Sequence, residues 1–203
     1  RIVLDRLQNR NKLEISAQLP QVAYKESIRK TISQHARHKK QSGGHGQFGD
    51  VHVEIKPLPR GSGFQFTDSI AGGVVPKQYI PSVETGIKEY LPRGPLGFPV
   101  VDIAVELTDG QFHAVDSSDQ AFKMAGSLAM REGMPKCNPV LLEPIFQIDV
   151  STPTEFTSRV QRLISGRRGQ ILGFEPKAGW KGWDEVSAHI PESETIDMIN
   201  ELR

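Results

Sequence analysis

Glycine punctuates one stretch of the chain in a pattern that could serve phosphate chemistry. Gly44-His45-Gly46-Gln47-Phe48-Gly49 matches G-x-G-x-x-G, the turn that in dinucleotide-binding folds brings backbone amides against a pyrophosphate at a helix N-terminus. That chemistry requires a helix directly after the loop. Val51, Val53 and Ile55 instead alternate with His52, Glu54 and Lys56, which is the period-2 pattern of a strand. A P-loop is excluded too, because Asp50 and Val51 stand where Lys and Ser or Thr are needed. The stretch is expected to be a hairpin tip. Its glycines either let the backbone approach a ligand closely or serve an ordinary flexible turn.

Histidine recurs at 35, 38, 45, 52 and 113. A zinc site needs three or four ligands in a defined geometry, and neither H-E-x-x-H nor paired cysteines supply one, so no metal is expected. Ser117, His113 and Asp116 hold the residue types of a hydrolytic triad, but they crowd into one short segment with no nucleophile elbow. Ser117 is better placed to cap a helix. The run Gln111-Phe112-His113-Ala114-Val115-Asp116-Ser117-Ser118 thus reads as an exposed polar turn entering a capped helix, whose free N–H groups favour phosphate.

Three segments must position these residues. In residues 1–20, Ile2, Val3, Leu4 and Leu7 mark a helix face, and Leu13, Ile15 and Ala17 alternate as a strand. One helix and one strand cannot enclose a core, so this segment is expected to be the remnant of a preceding domain. Residues 21–142 predict a basic strand, a Gly-rich turn at 42–49, the strand Val51–Ile55, and a helix near Pro81–Leu91. A buried strand, Val100–Leu107, and a second helix follow. The second helix opens on the capping box Ser117-Ser118-Asp119-Gln120 and stops at Gly133, with Pro135 beyond. Residues 143–203 predict the order β-α-β-β-α. After the strand Ile145–Val150, Thr152-Pro153-Thr154-Glu155 supplies a second capping box, and Phe156, Val160, Leu163 and Ile164 share one helix face. Strands near Gln170–Glu175 and Glu185–Ile190 precede a last helix from Ser193, with Ile196, Ile199 and Leu202 inward. A split βαβ unit wants one more strand, so this domain is expected to be incomplete.

Composition bounds the function classes. The chain has 203 residues, 37 % hydrophobic, with 25 Lys and Arg against 24 Asp and Glu. That balance, with a supply of Val, Ile, Leu and Phe, excludes a disordered chain. No apolar run approaches the ~18–20 residues that span a bilayer. The charged N-terminus lacks an apolar signal core, which argues against secretion. A single cysteine, Cys137, excludes an internal disulfide and fits a reducing cytosol. The chain begins without Met, as if in mid-helix, and is expected to be a piece of something larger. Its charge is uneven. Residues 1–40 carry ten Lys and Arg against three Asp and Glu, residues 41–143 eight against twelve, and residues 144–203 seven against nine. The basic strip of Lys25, Arg29, Lys30, Arg37, Lys39 and Lys40 suits either a phosphate-facing surface or a solvated edge that discourages strand aggregation.

Five motifs, in order along the chain, carry a family resemblance. They are Gln41-Ser42-Gly43-Gly44-His45-Gly46-Gln47-Phe48-Gly49, Gly72-Gly73-Val74-Val75-Pro76 with Tyr79-Ile80-Pro81, Gly94-Pro95-Leu96-Gly97-Phe98-Pro99-Val100-Val101-Asp102, His113 with Val115-Asp116-Ser117-Ser118, and Pro139-Val140-Leu141-Leu142-Glu143-Pro144. Together they resemble the C-terminal half of translation elongation factor G over essentially all 203 residues. The resemblance implies an α+β fold: the end of a third domain over 1–20, a fourth domain with a left-handed βαβ crossover over 21–142, and an incomplete ferredoxin-like fifth domain over 143–203. It implies a ribosome-dependent GTPase of the cytoplasm, monomeric, that moves tRNA and mRNA after peptide-bond formation. Its GTP and Mg2+ would lie in the parent protein, outside this chain, which would hydrolyse nothing.

By position, Gln41, Ser42, Gly43, Gly44, His45, Gly46 and Gln47, with His113, Asp116 and Ser117, would form the tip that contacts tRNA, mRNA and rRNA in the decoding region. Arg167 and Arg168 match a basic turn that would meet large-subunit RNA. His45 and Ala114 stand where the family usually has Arg and Asp, which points to an elongation-factor-G-like paralogue. Two other readings are a recycling or ribosome-protection factor built on the same module, and a free nucleotide-using enzyme. The strand after the Gly loop argues against the last.

Overall fold

The computed structural model describes residues 18, 20–41, 43–44 and 46–202. The helix and strand expected over 1–17, and Ser42 and His45 of the tip, lie outside the described residues. The chain divides into two compact units, one of them Tyr24–Leu142 and the other containing Glu143–Arg203.

In the first unit, β1 (Lys25–Ile28), β2 (Ile32–Lys40), β3 (Gln47–Pro57) and β4 (Phe64–Asp68) are followed by α1 (Ile80–Tyr90), β5 (Ile103–Gln111), α2 (Asp119–Gly133) and β6 (Pro139–Leu142). β2, β3, β5 and β4 form one sheet in that order, and β1 pairs with β6 in a second, two-stranded sheet. β4 and β5 are parallel, with α1 in the crossover between them, as parallel neighbours require. Val51, Val53 and Ile55 of β3 and Ile103, Val105 and Leu107 of β5 point to one face, where they pack with Phe122, Ala125, Ala129 and Met130 of α2. Each of the larger of these side chains contributes about 1.5–3 kcal/mol on full burial. The two helices meet at their smallest residues. A Cβ on Gly86 would lie 2.0 Å from the Lys123 carbonyl oxygen, and one on Gly126 would lie 2.6 Å from that of Val83. Glycine at both positions is what allows the backbones this close.

Three expectations for this unit shift. The Gly-rich turn is shorter than 42–49, because Gln47, Phe48 and Gly49 already pair with Lys40, Lys39 and His38. The strand expected at Val100–Leu107 begins at Ile103 and runs to Gln111. Val100 makes only an isolated bridge to Glu26. Asp102, at φ 58°, turns the chain between them and accepts amide hydrogen bonds from Gly61 and Gly63 at 3.1 and 2.9 Å. The helix cap also moves: Ser118, not Ser117, is the N-cap of α2 and accepts from the Ala121 amide.

The second unit contains β7 (Ile145–Pro153), α3 (Thr157–Gly166), β8 (Gln170–Pro176), β9 (Trp183–Pro191) and the short α4 (Met198–Glu201). Its antiparallel sheet has the order β7-β9-β8, which is the strand arrangement of a split βαβ, ferredoxin-like unit. Val160 and Ile164 of α3 pack on Val186 and Ala188 of β9. The capping box expected at Thr152–Glu155 does not form. β7 continues through Pro153, paired with Trp183, and a 3-10 turn at Thr154–Phe156 precedes α3. The buried Asp184 carboxylate ties down this entry instead, accepting from Thr154 Oγ1 at 3.2 Å and Thr157 Oγ1 at 2.6 Å. Phe156 and Ile199, both expected inward, are exposed, and Met198 takes the buried position on α4.

Candidate functional site

Strand direction brings the two motif-bearing loops to one end of the sheet. β2 and β5 both run toward that end and β3 runs away from it, so the β2–β3 turn and the segment after Gln111 emerge side by side. Backbone and side-chain hydrogen bonds then join them. Asp116 Oδ1 accepts from the Gly46 amide at 3.1 Å, and its main-chain oxygen accepts from the Phe48 amide at 2.8 Å. Ser117 Oγ donates to the Phe48 carbonyl and accepts from the His113 amide, both at 2.8 Å. Ser117 is therefore neither a nucleophile nor a helix cap. It locks one loop to the strand carrying the other.

Gly46 is a steric requirement of this junction. A Cβ there would lie 2.8 Å from Asp116 Cγ, inside van der Waals contact, and would drive away the carboxylate that its amide holds. Asp116 is partly shielded, with 25 % of its side chain exposed. An anion used in this way organises the tip and is ill suited to meeting phosphate.

His113 has the opposite character, with 57 % of its side chain exposed. The Asp116 and Val115 amides point at its Nδ1 from 3.3 and 3.4 Å. The same Nδ1 lies 3.4 Å from Asp116 Oδ2, so the carboxylate that orders the tip also sits against this ring. The ring also sits 6.2 Å from that of Phe48. A cleft of about 170 Å³ separates the loops, lined by Lys39, Lys40, Gln41, Gln47, Phe48, His113 and Asp116. Lys39 and Lys40 are exposed there, at the end of an edge strand. The sequence marks them as part of a basic strip, and only the hairpin register puts them beside His113. Gln41, Gly43 and Gly44 are exposed on the turn. Gln47 is half-buried and its Oε1 lies 2.8 Å from His38 Nε2.

Arg167 and Arg168 are not a free basic turn. Arg167, with 17 % of its side chain exposed, donates to the Glu194 carbonyl and to Glu201. Arg168, at φ 57°, holds Glu143 through two nitrogens and also reaches Glu194 and Ser193. Glu143 first, then Glu194, push its pKa further up. Among the described residues, no helix is long and apolar enough to cross a membrane.

Comparison with known proteins places this geometry. Residues 20–138 match the family model for elongation factor G, domain IV, and residues 140–203 match that for the elongation factor G C-terminus. The chain is 63 % identical, over all 203 residues, to an elongation factor G-like protein from Synechocystis sp.. It is 47 % identical over the same length to elongation factor G from Aquifex pyrophilus. It spans 30 % and 29 % of those two proteins. A crystal structure of a Thermus thermophilus protein superposes with a TM-score of 0.83 at 39 % identity, over 98 % of this chain and 29 % of that one. The family models together span nearly the whole chain, which belongs to the elongation factor G family and carries its domain IV followed by sequence of its C-terminus.

Proposed function

We propose that the chain is the ribosome- and RNA-contacting module of an elongation-factor-G-like translational GTPase and promotes movement of tRNA and mRNA. GTP and Mg2+ would act in the parent protein, in the cytoplasm, and this chain would position rather than catalyse. The observation that carries the reading is the tip, where two loops are locked together by Asp116 and Ser117 and present His113, Gln41 and two lysines outward. Such a surface offers donors and positive charge to phosphate and 2′-OH groups and reads backbone shape more than sequence. Within it, Gln41, Gly43, Gly44 and His113 are the contacting residues, and Gly46, Asp116 and Ser117 hold them in place. In the second unit, contact with large-subunit RNA would fall to Arg168, the more exposed of the two arginines, and would require exchange of its carboxylate partners.

The test is His113→Ala in the full-length protein. Loss of one hydrogen bond to a charged phosphate costs about 1.5–3 kcal/mol, so ribosome-coupled movement should slow about tenfold or more. Fold stability should stay within about 0.5 kcal/mol, as for most exposed side chains, and ribosome-stimulated GTP hydrolysis should be nearly unchanged. Unchanged movement would overturn the role given to the tip. The higher identity to the elongation factor G-like relative than to the Aquifex factor, 63 % against 47 %, supports a paralogue of the factor, for which recycling or ribosome protection is the second reading. An assay that scores codon movement and subunit splitting separately distinguishes the two.

A further inference from the structure

Away from the tip, the outer face of the four-stranded sheet gathers three side chains that the proposed function leaves unused. Register places His35 of β2 directly opposite His52 of β3, and Asp50 lies two residues before His52, so strand alternation puts all three on one face. The imidazole rings stack with centroids 4.1 Å apart and planes within 8°. Both rings turn Nε2 toward the carboxylate. His35 Nε2 lies 2.9 Å from Asp50 Oδ2, and His52 Nε2 lies 3.7 Å from Asp50 Oδ1.

Asp50 sits on the solvent face of the sheet yet its side chain is only 1 % exposed, in contact with both rings and with Arg37. Its two oxygens are treated unequally. Oδ2 accepts from Arg37 Nε at 2.5 Å and faces His35, whereas Oδ1 is buried with no hydrogen-bond partner. A buried carboxylate oxygen left without a donor is costly. His52 Nε2 lies 3.7 Å from this oxygen, and His35 Nε2 stands at the other oxygen of the same carboxylate. Two imidazole nitrogens and a carboxylate oxygen within 4.8 Å of one another are the donor set of a borderline divalent metal, whereas Mg2+ and Ca2+ favour all-oxygen sites.

We propose that His35, Asp50 and His52 form a site for a divalent transition metal of the zinc class. The ligands are His35 Nε2, His52 Nε2 and Asp50 Oδ1, and solvent completes the coordination. One ligand atom from each residue already lies within 4.8 Å of the others. The two rings are 46 % and 44 % exposed, and binding requires them to rotate to close the remaining distance. Arg37 remains on Oδ2 and orients the carboxylate, as outer partners of metal ligands commonly do. A metal held there would clamp β2 to β3, the two strands that carry the Gly-rich turn.

The test uses the 203-residue chain, stripped with a chelator and titrated with Zn2+ by calorimetry and with Co2+ by visible absorption. One saturable Zn2+ site per chain is expected, together with Co2+ bands typical of low coordination number. His35→Gln and His52→Gln should each weaken binding by at least about tenfold, and the double variant should lose the site and its Co2+ bands. His189→Gln, a histidine of the other unit, should leave both unchanged. Because His35 and His52 are half exposed, their variants should keep the wild-type circular dichroism. Zn2+ should also raise the thermal midpoint of the wild type but not of the double variant. Absence of saturable binding by the wild type, or binding unaltered in the double variant, overturns the assignment.

Discussion

Glu26 is the residue at which charge and burial conflict most sharply. It is fully buried between β1 and the Gly94–Pro99 loop, where Oε2 accepts from the Leu96 amide at 2.7 Å and Oε1 has no partner. Burial raises its pKa above the ordinary 4.5, and the backbone hydrogen bonds from Leu96 and Phe98 offset only part of this. The folded state thus holds the proton more tightly than the unfolded state does. The stability gained in this way is fully present below pH 4.5 and is lost as pH rises through the raised folded value. Urea midpoints measured from pH 4.5 to neutrality should fall for the wild type by a component that Glu26→Gln lacks. Equal pH slopes for the two proteins would contradict this. The sequence offers no hint of this residue's state, because Glu26 reads there as the one acid in a basic strip. Its burial depends on a loop that returns about seventy residues later in the chain.

At the scale of elements, the parts that were legible were those set by local pattern. The alternation Val51, Val53, Ile55 predicts β3, and the periodic apolar residues from Ala121 to Ala129, ended by Gly133, predict α2. Choices between adjacent candidates were not legible. Ser117 and Ser118 are chemically equal cap residues, and the extended backbone of Ser118 decides which one caps. Thr152–Glu155 has a capping-box sequence, yet pairing with Asp184 and Trp183 keeps Thr152 and Pro153 in strand, and the 3-10 turn starts only at Thr154. The motifs of the tip were legible as two separate loops, whereas the bonds joining them depend on register. Gly46→Ala tests that junction. Its Cβ would displace the Asp116 carboxylate, so a loss of about 1 kcal/mol is expected, with faster amide exchange at Gly46 and Phe48. Unchanged protection at these amides would show that Asp116 does not hold the loops together.

Across the whole molecule the net charge is only +1, so attraction to RNA must come from distribution. Lys25, Arg29, Lys30, Lys39 and Lys40 are all exposed, and Lys39 and Lys40 end the edge strand β2, so a solvated edge accounts for those two and leaves the phosphate-facing reading to experiment. RNA binding by the chain should weaken steadily as salt rises, with log affinity falling by about 0.7–0.9 per phosphate neutralised for each tenfold rise in salt. Salt-independent binding would exclude a role for this charge. The most direct measurement of the tip's role uses the single cysteine to advantage. Cys137 is buried and burial pushes its thiol up to about 11, so within this chain an introduced surface cysteine is the one labelled, once accessible cysteines elsewhere in the full-length protein have been replaced. Gly44→Cys at the tip and Arg60→Cys, in the turn at the opposite end of the sheet, would each carry a tethered iron chelate in the full-length protein bound to ribosomes. Hydroxyl-radical cleavage of RNA in the decoding region from Gly44→Cys, with none there from Arg60→Cys, is the expected result. Decoding-region cleavage from Arg60→Cys alone would contradict the assignment of this end of the molecule to RNA.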